Sequence, residues 1–215
     1  MTPALQSHAL LALCRLSPVI PVLVIEDVAG AAPLAAALVA GGLPVLEVTL
    51  RTSAALPAIA AMAAVEGARV GAGTVLSAHD AARAKAAGAE FAVAPGATRG
   101  LIAACVARDL PLMPGAATAT ETMALLEQGF TMLKFFPAEA AGGRAMLSSL
   151  AGPLPRAEFC PTGGITAENA ADYLALPNVR CVGGSWVAPA EMIAAGDWDG
   201  IAARARIAAS LQAPA

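Results

Sequence analysis

Lysine is scarce in this chain: two residues, Lys85 and Lys134, stand against eleven arginines. Lys85 lies in a small polar helical stretch, AARAKAAG. Lys134 lies in TMLKFFPAEA, between Leu133 and Phe135, in a run with the composition of a buried strand. Side chains alternate along a strand, so Met132, Lys134 and Phe136 share one face while Leu133 and Phe135 take the other. Excluding water from an ammonium favours the neutral amine, and a neutral amine adds to a ketone or aldehyde to give a Schiff base. A second run, VLEVTLR, puts Val45, Glu47, Thr49 and Arg51 on one face, with Leu46, Val48 and Leu50 suited to packing under helices. Polar groups facing an interior are unfavourable unless they bind one another or a ligand. An amine and a carboxylate converging there can form a carbinolamine, expel water and move protons. The plain alternatives are an internal Glu47–Arg51 ion pair and a lysine merely neutralised by Glu47. Buried lysines are rare, which favours the chemical reading.

A phosphate signal comes from the last two strand-like runs. PTGGIT and VGGSW each place a glycine pair just after a strand. Gly163, Gly164, Gly183 and Gly184 let backbone N–H groups approach an anion closely, and Ser185 adds a hydroxyl. In GAGTV, Thr74 falls where it can bind a carboxylate beside Arg51, with a plain core threonine as the alternative. His8 and His79 have no ligand partner at a metal-binding spacing, so no metal is expected. Cys14, Cys105, Cys160 and Cys181 form no CxxC pair, which argues against a zinc ribbon or redox motif. A net charge of -3 leaves no footprint for nucleic acid. Arg15, Pro18 and Pro21 break the longest apolar runs short of a membrane span. No basic region precedes an apolar stretch at the N-terminus, so a cytoplasmic protein with reduced thiols is expected.

The elements that position these residues are legible as punctuation. Strand-like runs begin at Val19, Pro44, Arg69, Phe91, Pro111, Met132, Glu158 and Arg180. Their spacing of about 20 to 26 residues is one strand plus one helix. SAHDAARAKAAG opens on the N-cap Ser77 and stops at Gly88. TATETMALLEQG carries the capping box Thr118 and Glu121 and stops at Gly129. PLAAALVAGG also ends in glycine. Eight βα units permit an open doubly wound sheet or a closed (β/α)8 barrel. The first strand leads into EDVAGAAP, which lacks the GxGxxG of dinucleotide folds. The expected fold is therefore α/β, a (β/α)8 TIM barrel forming a single domain over residues 1–215. MTPALQSHALLALCRL supplies an extra N-terminal helix that covers the barrel bottom. In such barrels the active site lies at the C-terminal strand ends.

LEVTLR, GAGTVL, the PG pairs at Pro95 and Pro114, LKFFPAE, FCPTGG and GGSW together resemble the 2-keto-3-deoxy-6-phosphogluconate (KDPG) aldolase family, from about Pro18 to about Asp199. The resemblance implies a class I, Schiff-base aldolase of the Entner–Doudoroff pathway, built as a (β/α)8 barrel and assembled as a homotrimer. It implies Lys134 as the Schiff-base lysine and Glu47 as the general acid/base. Arg51 and Thr74 would hold the pyruvyl carboxylate, Pro95 and Phe136 would line the pocket, and Thr162 would place a hydroxyl beside the ketoacid chain. Gly163, Gly164, Gly184 and Ser185 would hold the phosphate. The implied partners are small molecules, a phosphorylated 2-keto-3-deoxy sugar acid and pyruvate, with no nucleic acid, membrane or cofactor. Related substrates within the family are 2-keto-3-deoxy-6-phosphogalactonate and 4-hydroxy-2-oxoglutarate. A barrel that binds a phosphorylated metabolite without turnover is the alternative of a different class.

Overall fold

Strand-forming runs bounded by glycine, alternating with alanine-rich helices, produce a parallel α/β arrangement. The structure, a computed structural model, describes residues 1–211. Helix α1 (Pro3–Cys14) leads into β1 (Val19–Leu23), a short 3-10 turn, α2 (Ala31–Ala40), β2 (Val45–Thr49), α3 (Ala55–Ala63) and β3 (Arg69–Gly73). Next come α4 (Ala78–Ala86), β4 (Phe91–Val93), α5 (Arg99–Ala107), β5 (Leu112–Met113), β6 (Gly115–Ala116), α6 (Ala119–Glu127) and β7 (Met132–Phe135). The chain continues through α7 (Gly143–Ala151), β8 (Glu158–Pro161), α8 (Ala170–Leu174), β9 (Val182–Gly184), α9 (Ala190–Ala195) and α10 (Trp198–Ala209). The caps form as the sequence predicts. Ser77 accepts from the Asp80 N–H, and Thr118 with Glu121 makes both bonds of a capping box.

Two parallel sheets result, ordered β5-β4-β3-β2-β1-β9 and β6-β7-β8. The run from Pro111 was expected to be one strand. It is two short ones, β5 and β6, on either side of Pro114. Proline has no N–H for a ladder, so the pairing changes partner there: β5 pairs with β4, whereas β6 pairs with β7. Single parallel bridges, Phe159 with Val179 and Thr162 with Gly183, run between β8 and the last strand segment.

Alternation divides the core in two. Ile20, Val45, Phe91, Met113, Met132, Cys160 and Cys181 form one cluster on the inner strand faces, with Leu10, Leu13 and Cys14 of α1 packed against it. Leu46, Val48, Leu133 and Phe135 belong to the other, among helix residues such as Leu34, Ile59 and Leu147. Hydrogen bonds to Cys14 and Cys160, together with burial, push the Cys181 thiol well above its usual range, so it stays protonated packing material. No helix among the described residues is long and apolar enough to cross a membrane.

Helix α1 is tied to the N-terminal strand ends by polar side chains. The Leu112 N–H donates to Gln6 Oε1 at 3.1 Å, and Thr131 and Met132 N–H groups donate to Ser7 Oγ at 2.9 and 3.4 Å. Ser7 is buried, so its truncation leaves buried donors without a partner. Ser7→Ala is expected to lower unfolding free energy by about 1–3 kcal/mol in urea denaturation.

Candidate functional site

The site is built where the sheet turns polar. Val45 and Met132 are apolar, and one alternation further along each strand come Glu47 and Lys134, with side chains only 4% and 7% exposed. Lys134 Nζ donates to Glu47 Oε1 at 3.2 Å across 87 residues of sequence. The ammonium nitrogen also lies 5.3 Å from the centre of the Phe136 ring. A glycine one strand over creates the room: a Cβ on Gly73 would run into the Glu47 carboxylate. On the other side, Val22 of β1 stands in register with Glu47. Thr49 was expected to join the inward polar row. Its hydroxyl instead donates to the Leu23 carbonyl at 3.0 Å, where it is a fully buried strand tie.

Arg51 lies past the end of β2 and is exposed. Its Nε donates to Thr74 Oγ1 at 3.2 Å. Thr74 carries φ +57, a left-handed conformation that is an outlier for a β-branched residue. Such strain persists only where the surroundings over-determine it, and it concentrates at functional sites. Thr74 directly follows Gly73, so one short segment makes space for the carboxylate and turns a hydroxyl toward the guanidinium.

One cavity of about 200 Å³ gathers Arg51, Phe136, Thr162, Gly163, Gly164, Gly183, Gly184 and Ser185, all named by the sequence, together with Val22, Val24 and Ile165. Thr74 joins it through Arg51. Pro95 does not line it. Its backbone packs so closely on Gly115 that no Cβ fits there, which spaces β4 from β6. Val22 and Val24 went unnamed although the alternation of β1 puts both on the inner face. Lys134 and Glu47 line neither this cavity nor a larger open depression of about 590 Å³ bordered by Glu139, Gly143, Arg144 and Ser148; Phe136 is the residue that links the buried pair to the smaller cavity.

A buried amine and carboxylate are in contact, and Phe136, whose ring lies 5.3 Å from the amine, also borders a glycine-walled cavity past the C-terminal ends of parallel strands, an arrangement chemically suited to carbonyl addition on an anionic substrate. Comparison with known proteins agrees. The family described as KDPG and KHG aldolase matches residues 10–204, and the chain belongs to it. A 2-dehydro-3-deoxy-phosphogluconate aldolase of Pseudoalteromonas atlantica is 54% identical over 185 residues, 86% of each chain. Among solved structures, the KDPG aldolase of Zymomonas mobilis with 3-phosphoglycerate superposes with a TM-score of 0.90 at 51% identity, covering 94% of this chain and 95% of that one. The KDPG aldolase of Legionella pneumophila, with pyruvate captured as a covalent carbinolamine, gives 0.90 at 46% identity over 93% and 98%.

The buried pair yields a stability prediction. Removing one partner strands a charge, whereas replacing both with apolar groups removes the desolvation penalty as well. Lys134→Met or Glu47→Leu alone is expected to destabilise by about 3–5 kcal/mol, and the double variant by far less. Denaturant titration of the three variants checks this.

Proposed function

We propose that this chain is a class I aldolase that cleaves 2-keto-3-deoxy-6-phosphogluconate to pyruvate and glyceraldehyde 3-phosphate, with Lys134 as the Schiff-base residue. The observation that carries the reading is the 3.2 Å contact between the Lys134 amine and the Glu47 carboxylate in a water-poor interior. Family membership and the printed names of the relatives support the substrate.

The mechanism follows from the groups present. Neutral Lys134 attacks the C2 ketone, giving a carbinolamine. Glu47, directly or through a water, protonates the departing hydroxyl, and the iminium forms. The C4 hydroxyl then gives its proton to Glu47, the C3–C4 bond breaks, and its electrons enter the iminium to make an enamine. Glyceraldehyde 3-phosphate leaves. Protonation at C3 and addition of water release pyruvate and restore the amine. The iminium is the electron sink, so the chemistry calls on no metal or organic cofactor.

Arg51, whose Nε donates to Thr74 Oγ1, takes the C1 carboxylate in this reading. Phe136 and Thr162 flank the ketoacid chain. Gly163, Gly164, Gly184 and Ser185 form the phosphate site, in which turn N–H groups are the donors. The helix that follows the first glycine pair, α8, has five residues and starts at Ala170. It is too short and too far along the chain to lend a helix terminus. 4-Hydroxy-2-oxoglutarate is a second substrate in the same reading, its distal carboxylate taking the anion-binding glycines, in keeping with the family's description.

The reading also takes both sheets as one closed (β/α)8 barrel, a single domain with α1 across its floor. The bridges between β8 and the last strand segment, and the change of partner at Pro114, support closure. A homotrimer comes with the resemblance, and exposed Val24 and Leu76, just past the ends of β1 and β3, offer apolar surface to partner copies. A cytoplasmic location suits a phosphorylated sugar acid, which does not cross membranes unaided.

Coupled detection of glyceraldehyde 3-phosphate tests the function. Purified protein is expected to cleave the phosphogluconate substrate faster than its C4 epimer, and Glu47→Gln to lower kcat by about 10²–10⁴. Phosphate recognition adds that Ser185→Ala raises KM severalfold with a smaller change in kcat. Ligand binding without product overturns the aldolase reading in favour of a binder.

A further inference from the structure

The turn after β8 is held from behind by residues that do not line the cavity. Three successive carbonyls are each tied to a neighbour that does not line the cavity. The Ala138 N–H donates to Thr162 O at 2.8 Å, the Glu139 N–H to Gly163 O at 3.1 Å, and Asn169 Nδ2 to Gly164 O at 3.0 Å. In a trans peptide the C=O and the following N–H point in opposite directions. Tying back these carbonyls therefore turns the N–H groups of Gly163, Gly164 and Ile165 the other way. Among the described residues, none of the three N–H groups has a partner in the fold. Gly163 and Gly164 carry φ +99 and +80, a region that glycine adopts without steric cost and side-chain-bearing residues rarely do.

Support for the turn converges on Glu139. Its side chain packs directly under the turn: a Cβ on Gly164 would lie 2.5 Å from Glu139 Cγ. The carboxylate is in turn fixed by the Tyr173 hydroxyl, which donates to Glu139 Oε1. Tyr173 is fully buried on α8, the helix that follows the turn. Burial, and then the bond and charge of Glu139, push the Tyr173 hydroxyl above its usual range, so it remains a donor. Gly143 accommodates the pair, since a Cβ there would meet Tyr173 Oη at 3.1 Å and Glu139 Oε1 at 3.7 Å.

We infer that Tyr173, acting through Glu139, is a positioning residue for the anionic end of the substrate: the pair holds the Gly163–Gly164 turn with its N–H groups presented to a phosphate. The inference rests on the phosphate-site reading above. It separates the enzyme into a reacting half, Lys134 and Glu47, and an anion-receiving half that a hydroxyl outside the cavity keeps in shape.

The test compares Tyr173→Phe and Glu139→Gln with the parent protein in three measurements. These are KM for the phosphorylated substrate, exchange of pyruvate methyl hydrogens with D2O, and calorimetric binding of inorganic phosphate. Pyruvate exchange needs the amine and the acid but no phosphate site. Tyr173→Phe is expected to raise KM and to weaken phosphate binding about tenfold, the scale of one lost charge-assisted hydrogen bond, with exchange within twofold of the parent. Glu139→Gln keeps an acceptor for the hydroxyl and is expected to stay within about threefold on all three. Unchanged KM and phosphate binding in Tyr173→Phe overturn the inference. So does an equal fall in exchange, which marks the pair as general scaffolding. If the parent itself exchanges no pyruvate hydrogens, the aldolase reading fails instead, and phosphate binding alone still decides whether the pair shapes the turn.

Discussion

A lysine amine and a glutamate carboxylate 3.2 Å apart, both nearly cut off from water, constrain everything else in this fold. Either charge alone is unfavourable in such surroundings, and even the paired charges give little net stability against an apolar replacement. The pair is thus a standing liability that chemistry turns to use. In the proposed mechanism the amine is the nucleophile, and the adjacent acid supplies and accepts the protons that carbonyl addition requires. The surrounding residues follow from this demand. Gly73 gives up its side chain so that the carboxylate fits, and half-buried Val22 stands in register with Glu47 on the neighbouring strand and borders the cavity.

The rest of the site handles charge that the interior cannot. Arg51 lies in the exposed region beyond β2, where a guanidinium remains hydrated, and it reaches back to Thr74. In the proposed reading the opposite end relies on backbone dipoles rather than cations. N–H groups of a glycine turn can attract an anion without introducing a full charge beside the reactive amine. The relatives from Legionella and Zymomonas were captured with pyruvate as a covalent carbinolamine and with 3-phosphoglycerate, respectively.

Much of this was legible from residue order because strand alternation is strict. Knowing that Val45 and Met132 face inward puts Glu47 and Lys134 inward too, and glycine stops mark where each helix ends. Those rules are local and do not depend on tertiary detail. Features that depend on contact between distant segments were not legible. Thr49 looked like an active-site polar group and proved to be a tie to the Leu23 carbonyl. Pro114 split a strand that composition alone made continuous. The left-handed Thr74 had no sequence marker, since threonine rarely adopts that conformation. Glu139 and Tyr173 are 34 residues apart on different elements, and only the folded chain brings the hydroxyl to the carboxylate.

The central claim concerns a single nitrogen, so the most direct measurement asks where pyruvate becomes attached. Incubation of the protein with pyruvate and sodium borohydride, followed by proteolysis and peptide mass mapping, is predicted to give one reduced adduct, on the peptide carrying Lys134. Bound pyruvate with no adduct, or an adduct on Lys85 instead, would contradict the account.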